Sequence, residues 1–247
     1  MEKVVIECDN RFLNCLPYIK SRLEQHAKIT HKKLRKCERI EVKGKDFIET
    51  LKDAIADVIV GDCKSHYIIE NMKLPIRDEI DRHLFISALC EFDREVDKYL
   101  VSEILEITPT FVLGSFYDYR LGNLKRRWDE ICLIANENIE NLVVEGNFFE
   151  LLRYLISNLE HRLDEVFLES VNGQIRVYDR QMQPVIGGYV NKTKSSQIQA
   201  MSILVANNPR RIFFWGEENE FFQKISGLFC GCIEISPGDE LVQTHHA

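Results

Sequence analysis

The sequence predicts an α+β protein: a small α/β unit at the N-terminus, a helical middle region, and a mixed β-sheet covered by helices at the C-terminus. Three observations carry this prediction. Short alternating runs and helical runs follow one another over residues 1–61. From 62 to 163 the apolar residues recur at the 3.6-residue spacing of helices almost without a break. After Asp164 the period shortens to two, and strand patterns alternate with helical ones. The expected regions are therefore 1–61 (β-α-β-α), 62–163 (helical) and 164–247 (α/β with a mixed sheet).

Taken in order, KVVIEC (3–8) reads as a strand. Asn14 offers an N-cap and Pro17 falls in the first turn, where proline is tolerated, so a helix is expected to about Ala27. CERIEVK (37–43) alternates apolar and charged residues, as a half-buried strand does, and Gly44 breaks it. Asp46 then opens a helix whose inward side is Phe47, Ile48, Leu51, Ile55, Val58 and Ile59. The middle region divides into helical segments 64–73, 76–107, 115–140 and 147–163, punctuated by Pro75 and Pro109. The second of these is long enough for two helices.

Beyond Asp164, DEVFLES and QIRVYD are strands joined across Asn172-Gly173, a strong hairpin signal. Ser195 or Ser196 caps a helix through Ala206, and Asn207-Asn208-Pro209 stops it. RRIFFWG is apolar on both faces from Ile212 to Trp215, which predicts a central strand. EENEFFQKISGLF is a helix with an acidic start that suits the macrodipole, and CGCIEIS is a final strand.

Composition narrows the class. A chain of 247 residues with 45% hydrophobic content has enough apolar surface to build a substantial core. No apolar run approaches the roughly 18–20 residues that span a bilayer, and the start MEKVVIECDN lacks the apolar stretch of a secretory signal. A cytoplasmic protein without an integral membrane segment is expected. The eight cysteines include no C-x-x-C pair, so a zinc-finger or thioredoxin-like reading has no support. A net charge of −7 argues against non-specific nucleic-acid binding by the chain as a whole.

The stretch GSFYDYRLGNLKRRW (114–128) concentrates aromatics and arginines. At 100° per residue, Tyr117, Leu121, Leu124, Trp128, Ile131 and Ala135 share one stripe that faces a core. Arg120 falls at the margin of that stripe, one to two turns from Phe116 and Arg127. Two readings compete there. Arg120 pairs with a carboxylate of a neighbouring helix, because a buried charge must be compensated. Alternatively, Arg120 and Arg127, with Phe116 and Tyr119, hold an anionic ligand or a protein partner.

Gly114 to Leu121, closing on Tyr119-Arg120-Leu121, resembles the Gly-Phe-x-x-Phe-Arg-Leu signature of the YtxC-like family of sporulation proteins, with Tyr119 where the signature has Phe. NFFELLRYLISNLEHRLDEVFL, SILVANNPRRIFFWG and Cys230-Gly231-Cys232 resemble further blocks of that family in the same order, over about residues 110–235. The resemblance implies a process, sporulation in Gram-positive spore formers, and carries no reaction, substrate, cofactor or catalytic residue.

Three other motifs carry chemistry. Cys230 and Cys232 place two thiols two residues apart, which in a strand point the same way and are a metal or redox candidate, against the plainer reading of half-buried strand cysteines. VIGGYVNKTKSS (185–196) sets paired glycines and then Lys192, Thr193 and Lys194 before a helix start, as a phosphate cradle does. It lacks the glycine that precedes the lysine in a P-loop, which favours an exposed turn. Residues 28–45 carry eight Lys/Arg against two Glu, with Lys32, Lys33, Arg35 and Lys36 as the densest patch and no aromatic for base stacking. The expectation is a sporulation-associated protein that acts by protein–protein contact. The alternatives are an enzyme or binder of a small anionic ligand, phosphate or nucleotide, and a nucleic-acid binder through residues 28–45.

Overall fold

The computed structural model describes residues 2–13, 15–73, 75–144, 147–185, 195–216 and 218–235. They form an α+β fold with two mixed sheets. The chain divides into two compact units, each made of two chain segments: Met1–Lys73 with Asp93–Asn136, and Leu74–Phe92 with Glu137–Ala247. The helical middle is thus shared between them.

In the first unit, β1 (Glu2–Asp9) alternates as expected, turning Val4, Ile6 and Cys8 inward. The proposed cap Asn14 lies outside the described residues. Helix α1 (Cys15–Leu23) buries Cys15, Leu16, Ile19 and Leu23 and ends four residues before Ala27. Ala27 instead begins β2 (Ala27–Lys33), which pairs antiparallel with β3 (Cys37–Gly44). The expected helix-to-strand connection over 28–36 is therefore an edge strand and turn. Its residues are largely exposed on both faces, so no alternation marked it in the sequence. Helix α2 (Ile48–Val58) starts without a side-chain cap, because Asp46 takes a left-handed conformation (φ 57°) and Phe47 holds the cap position. One π turn (Ile59–Cys63) leads into α3 (Lys64–Asn71).

The next helix, α4 (Glu79–Glu91), belongs to the second unit. Asp93, left-handed at φ 53°, separates it from α5 (Arg94–Ile104), so the long periodic segment 76–107 is two helices. Then come β4 (Thr110–Val112), α6 (Leu113–Tyr119) and α7 (Gly122–Val144). The first sheet has the order β2-β3-β1-β4, with β1 and β4 parallel. The helix expected over 115–140 is interrupted at Arg120-Leu121, yet most of its apolar stripe is buried: Tyr117, Leu121, Leu124, Trp128 and Ala135 lie in the core, while Ile131, expected with them, is half-buried. Burying each of the larger members contributes roughly 1.5–3 kcal/mol.

The second unit adds α8 (Phe148–Ser157), β5 (Glu165–Val171), β6 (Gln174–Tyr178), α9 (Ser196–Asn207), β7 (Arg211–Trp215), α10 (Glu220–Leu228) and β8 (Ile233–Ile235). Asn172 and Gly173 both have positive φ (51° and 75°), the geometry of a two-residue hairpin turn whose twist matches its strands. The sheet order is β6-β5-β7-β8, so β7 is internal, as its two-sided apolar pattern requires. Ile212 and Phe214 enter the core, while Phe213 stacks on Phe167 of β5 at 4.9 Å. Ser195 caps α9 by accepting from the Ile198 amide, and Asn219 caps α10 through the Phe222 amide. Helix α4 packs on α9 and α8, and α8 packs on α10. No helix among the described residues is long and apolar enough to cross a membrane.

Candidate functional site

The sequence picks out the corner where α6 meets α7, and the structure sorts its side chains into two groups. Phe116 is buried, at 8% exposure, against Phe111 with ring centroids 5.4 Å apart, so it belongs to the core and not to a contact surface. Arg127 is held inside the first unit: its Nη2 donates to Asp93 at 3.0 Å and its Nε to Asp97 at 3.3 Å. Tyr119 is 84% exposed, and Arg120 beside it is exposed, with no hydrogen bond or ion pair from its guanidinium among the described residues. The ion-paired cation at the helix edge is thus Arg127 and not Arg120. The interruption at residue 120 moves Arg120 out of the wheel position that a continuous helix assigns to it.

What Arg127 joins is a buried polar cluster. Asp97 on α5 is 1% exposed and accepts from Lys64 Nζ (2.8 Å) and Trp128 Nε1 (3.0 Å) as well as from Arg127. Lys64 is itself fully buried. Arg127 and Trp128, two members of the 114–128 stretch, are therefore explained by one carboxylate from another helix. The corner's base is anchored as well. Arg11 grips Asp118 through two N–H donors at 2.9 Å each and holds that carboxyl below its ordinary range. The Arg11 guanidinium also lies over the rings of Phe12 and Tyr117.

The basic patch occupies the end of the β2–β3 hairpin. Lys32, Lys33, Arg35 and Lys36 are all exposed; Lys33 reaches Glu38 across the strand pair at 3.4 Å. Exposed lysines on an edge strand discourage pairing with another chain's strand, which accounts for the patch without a ligand. The glycine-lysine segment with Lys192 and Thr193 lies outside the described residues.

Cys230 and Cys232 are not strand neighbours. Cys230 sits in the turn after α10, Gly231 takes φ +84°, and β8 begins only at Ile233. Both cysteines line an open cleft of about 490 Å³ together with Arg153, Tyr154 and Ser157 of α8 and with His161. A Cβ at Gly227 would stand 2.8 Å from the Phe149 ring, so the glycine lets α10 close on α8. The loop bearing His161 is tied to the end of α9: Asn208 donates to the Leu159 carbonyl at 2.7 Å, and Arg162 donates to the Ala206 carbonyl at 3.0 Å. His161 Nδ1 lies 2.6 Å from the Asn208 carbonyl oxygen. A carbonyl only accepts, so Nδ1 carries the proton, and in the neutral ring Nε2 has the lone pair.

Sequence reasoning named the two cysteines of this cleft and missed Arg153 and His161, which no motif joins to them. Among the described residues no group of three or more His, Cys, Asp or Glu side chains is placed to hold a metal ion. No protein-family model, curated protein or solved structure matches the chain.

Proposed function

We propose that this chain is a cytoplasmic, sporulation-associated protein that works by contact with a protein partner, and that Tyr119 and Arg120 anchor the contact. The resemblance of Gly114–Leu121 and the later blocks to the YtxC-like family supplies the process. One observation carries the contact reading. A tyrosine 84% exposed stands beside an arginine with no partner among the described residues, on a corner whose base is pinned by buried Phe116, Tyr117 and Leu121. Tyrosine and arginine are the side chains that most often anchor interfaces, and a fixed base lowers the entropy lost on docking. Neither side chain supports the fold, so changing them leaves stability within about 0.5 kcal/mol.

The test is site-specific photo-crosslinking in sporulating cells, with a benzoylphenylalanine at position 119 and, as a control, at exposed position 20. Discrete adducts from position 119 alone, lost when Arg120→Glu is added while the melting temperature is unchanged, are the expected result. Adducts indifferent to Arg120→Glu, or none, remove this corner as the contact.

A further inference from the structure

The cleft of the second unit is independent of the contact at Tyr119 and Arg120. It gathers two thiols, an imidazole and a guanidinium from different elements. Cys230 is exposed and Cys232 half-buried, while Cys8, Cys15, Cys63, Cys90 and Cys132 are buried. Burial pushes the Cys8, Cys15 and Cys63 thiols well up from their ordinary value, and Cys132 up to about 11, so these stay protonated and unreactive. Cys230, Cys232 and the half-buried Cys37 are the more accessible thiols, and of these Cys230 and Cys232 border the cleft. Gly231, left-handed between them, turns the chain so that both side chains border the same cleft. His161 presents Nε2 as an acceptor because its Nδ1 is committed to Asn208. Arg153 forms no ion pair among the described residues and borders the same space.

We propose that this cleft is a thiol-exchange site, in which Cys230 and Cys232 are oxidised together to one disulfide by a small disulfide that carries carboxylates, of the glutathione disulfide class. Cys230 gives its proton to His161 Nε2, and its sulfur bonds to one sulfur of the small disulfide, whose S–S bond breaks. The departing thiolate takes the proton from the imidazolium. The Cys232 sulfur then displaces the second small thiol from Cys230, and its proton goes to that leaving thiolate. Two protein thiols are oxidised and one disulfide is reduced to two thiols. Arg153 meets a carboxylate of the incoming molecule.

The full chain carrying Cys37→Ser, which removes the remaining half-buried thiol, is equilibrated with glutathione and its disulfide, alkylated and weighed intact. The expected product has lost two thiols, mapped to the peptide containing 230–232. Cys232→Ser stops at a glutathione adduct on Cys230. His161→Gln slows the first step about tenfold or more near neutral pH, and the deficit shrinks in alkali, where the thiolate forms without a base. Arg153→Ala slows exchange with glutathione disulfide and leaves exchange with neutral hydroxyethyl disulfide unchanged. The proposal is overturned if the paired loss fails to appear in folded protein, or if it appears with equal rates for charged and neutral disulfides. A His161→Gln deficit that is the same at every pH also overturns it.

Discussion

Three side chains of the first unit converge on Asp97. Its two oxygens take hydrogen bonds from a buried ammonium, an indole and a guanidinium. Such a cluster adds little net stability over apolar packing, but removing one partner leaves charge in a poor solvent. Asp97→Ala takes the carboxylate from the buried Lys64 ammonium and is expected to cost about 3–5 kcal/mol in urea unfolding. Trp128→Phe keeps most of the ring packing, loses one charge-assisted bond, and is expected to cost roughly 1.5–3 kcal/mol. In the sequence Asp97 looks like any acidic residue within the long periodic segment 76–107. The partners lie 30 to 33 residues away, and no local pattern connects them.

Among the elements, β2 shows how a charged run acquires meaning from its neighbours. It is an edge strand whose free side bears unpaired backbone groups, and its lysines keep that side solvated. Replacing Lys28 and Lys32 with valine raises β-propensity and removes the guard together. The expected outcome is concentration-dependent self-association in sedimentation velocity, with the monomer's circular dichroism unchanged. The sequence shows eight cations over 28–45 but not the strand at 27–33, because exposure on both faces erases the alternation that identifies one. The α6–α7 interruption was illegible for a related reason. Leu121 is buried on either side of a break, so the stripe persists while the wheel position of Arg120 does not.

At the scale of the whole molecule, both units depend on carboxylates that must stay ionised. Burial raises the pKa of Asp57, but hydrogen bonds from Lys98 and Tyr18, each 2.8 Å, and the charges of Lys98 and Arg94 outweigh it and hold the group below its ordinary value. Asp78 in the second unit is likewise lowered, by the Asp81 amide and by Lys224. A depressed carboxylate contributes stability that is complete above its unfolded pKa, about 4, and is lost as pH falls through the lower folded value. The urea midpoint is therefore expected to be flat from neutral pH to about 5 and to fall below about 4. Asp57→Asn should lower the midpoint at neutral pH and make the acid decline shallower.

The sequence by itself determined the class of the fold, the burial of the 117–135 stripe, the hairpin at Asn172-Gly173 and the central place of RRIFFWG. Each of these follows from local periodicity or turn chemistry, which a chain expresses over a few residues. Only the tertiary structure decided that Arg127 and not Arg120 meets a carboxylate, that Phe116 is core, and that Cys230 and Cys232 line one cleft with His161 and Arg153. Those outcomes depend on which distant helix or loop comes to lie beside a residue, and periodicity carries no information about that.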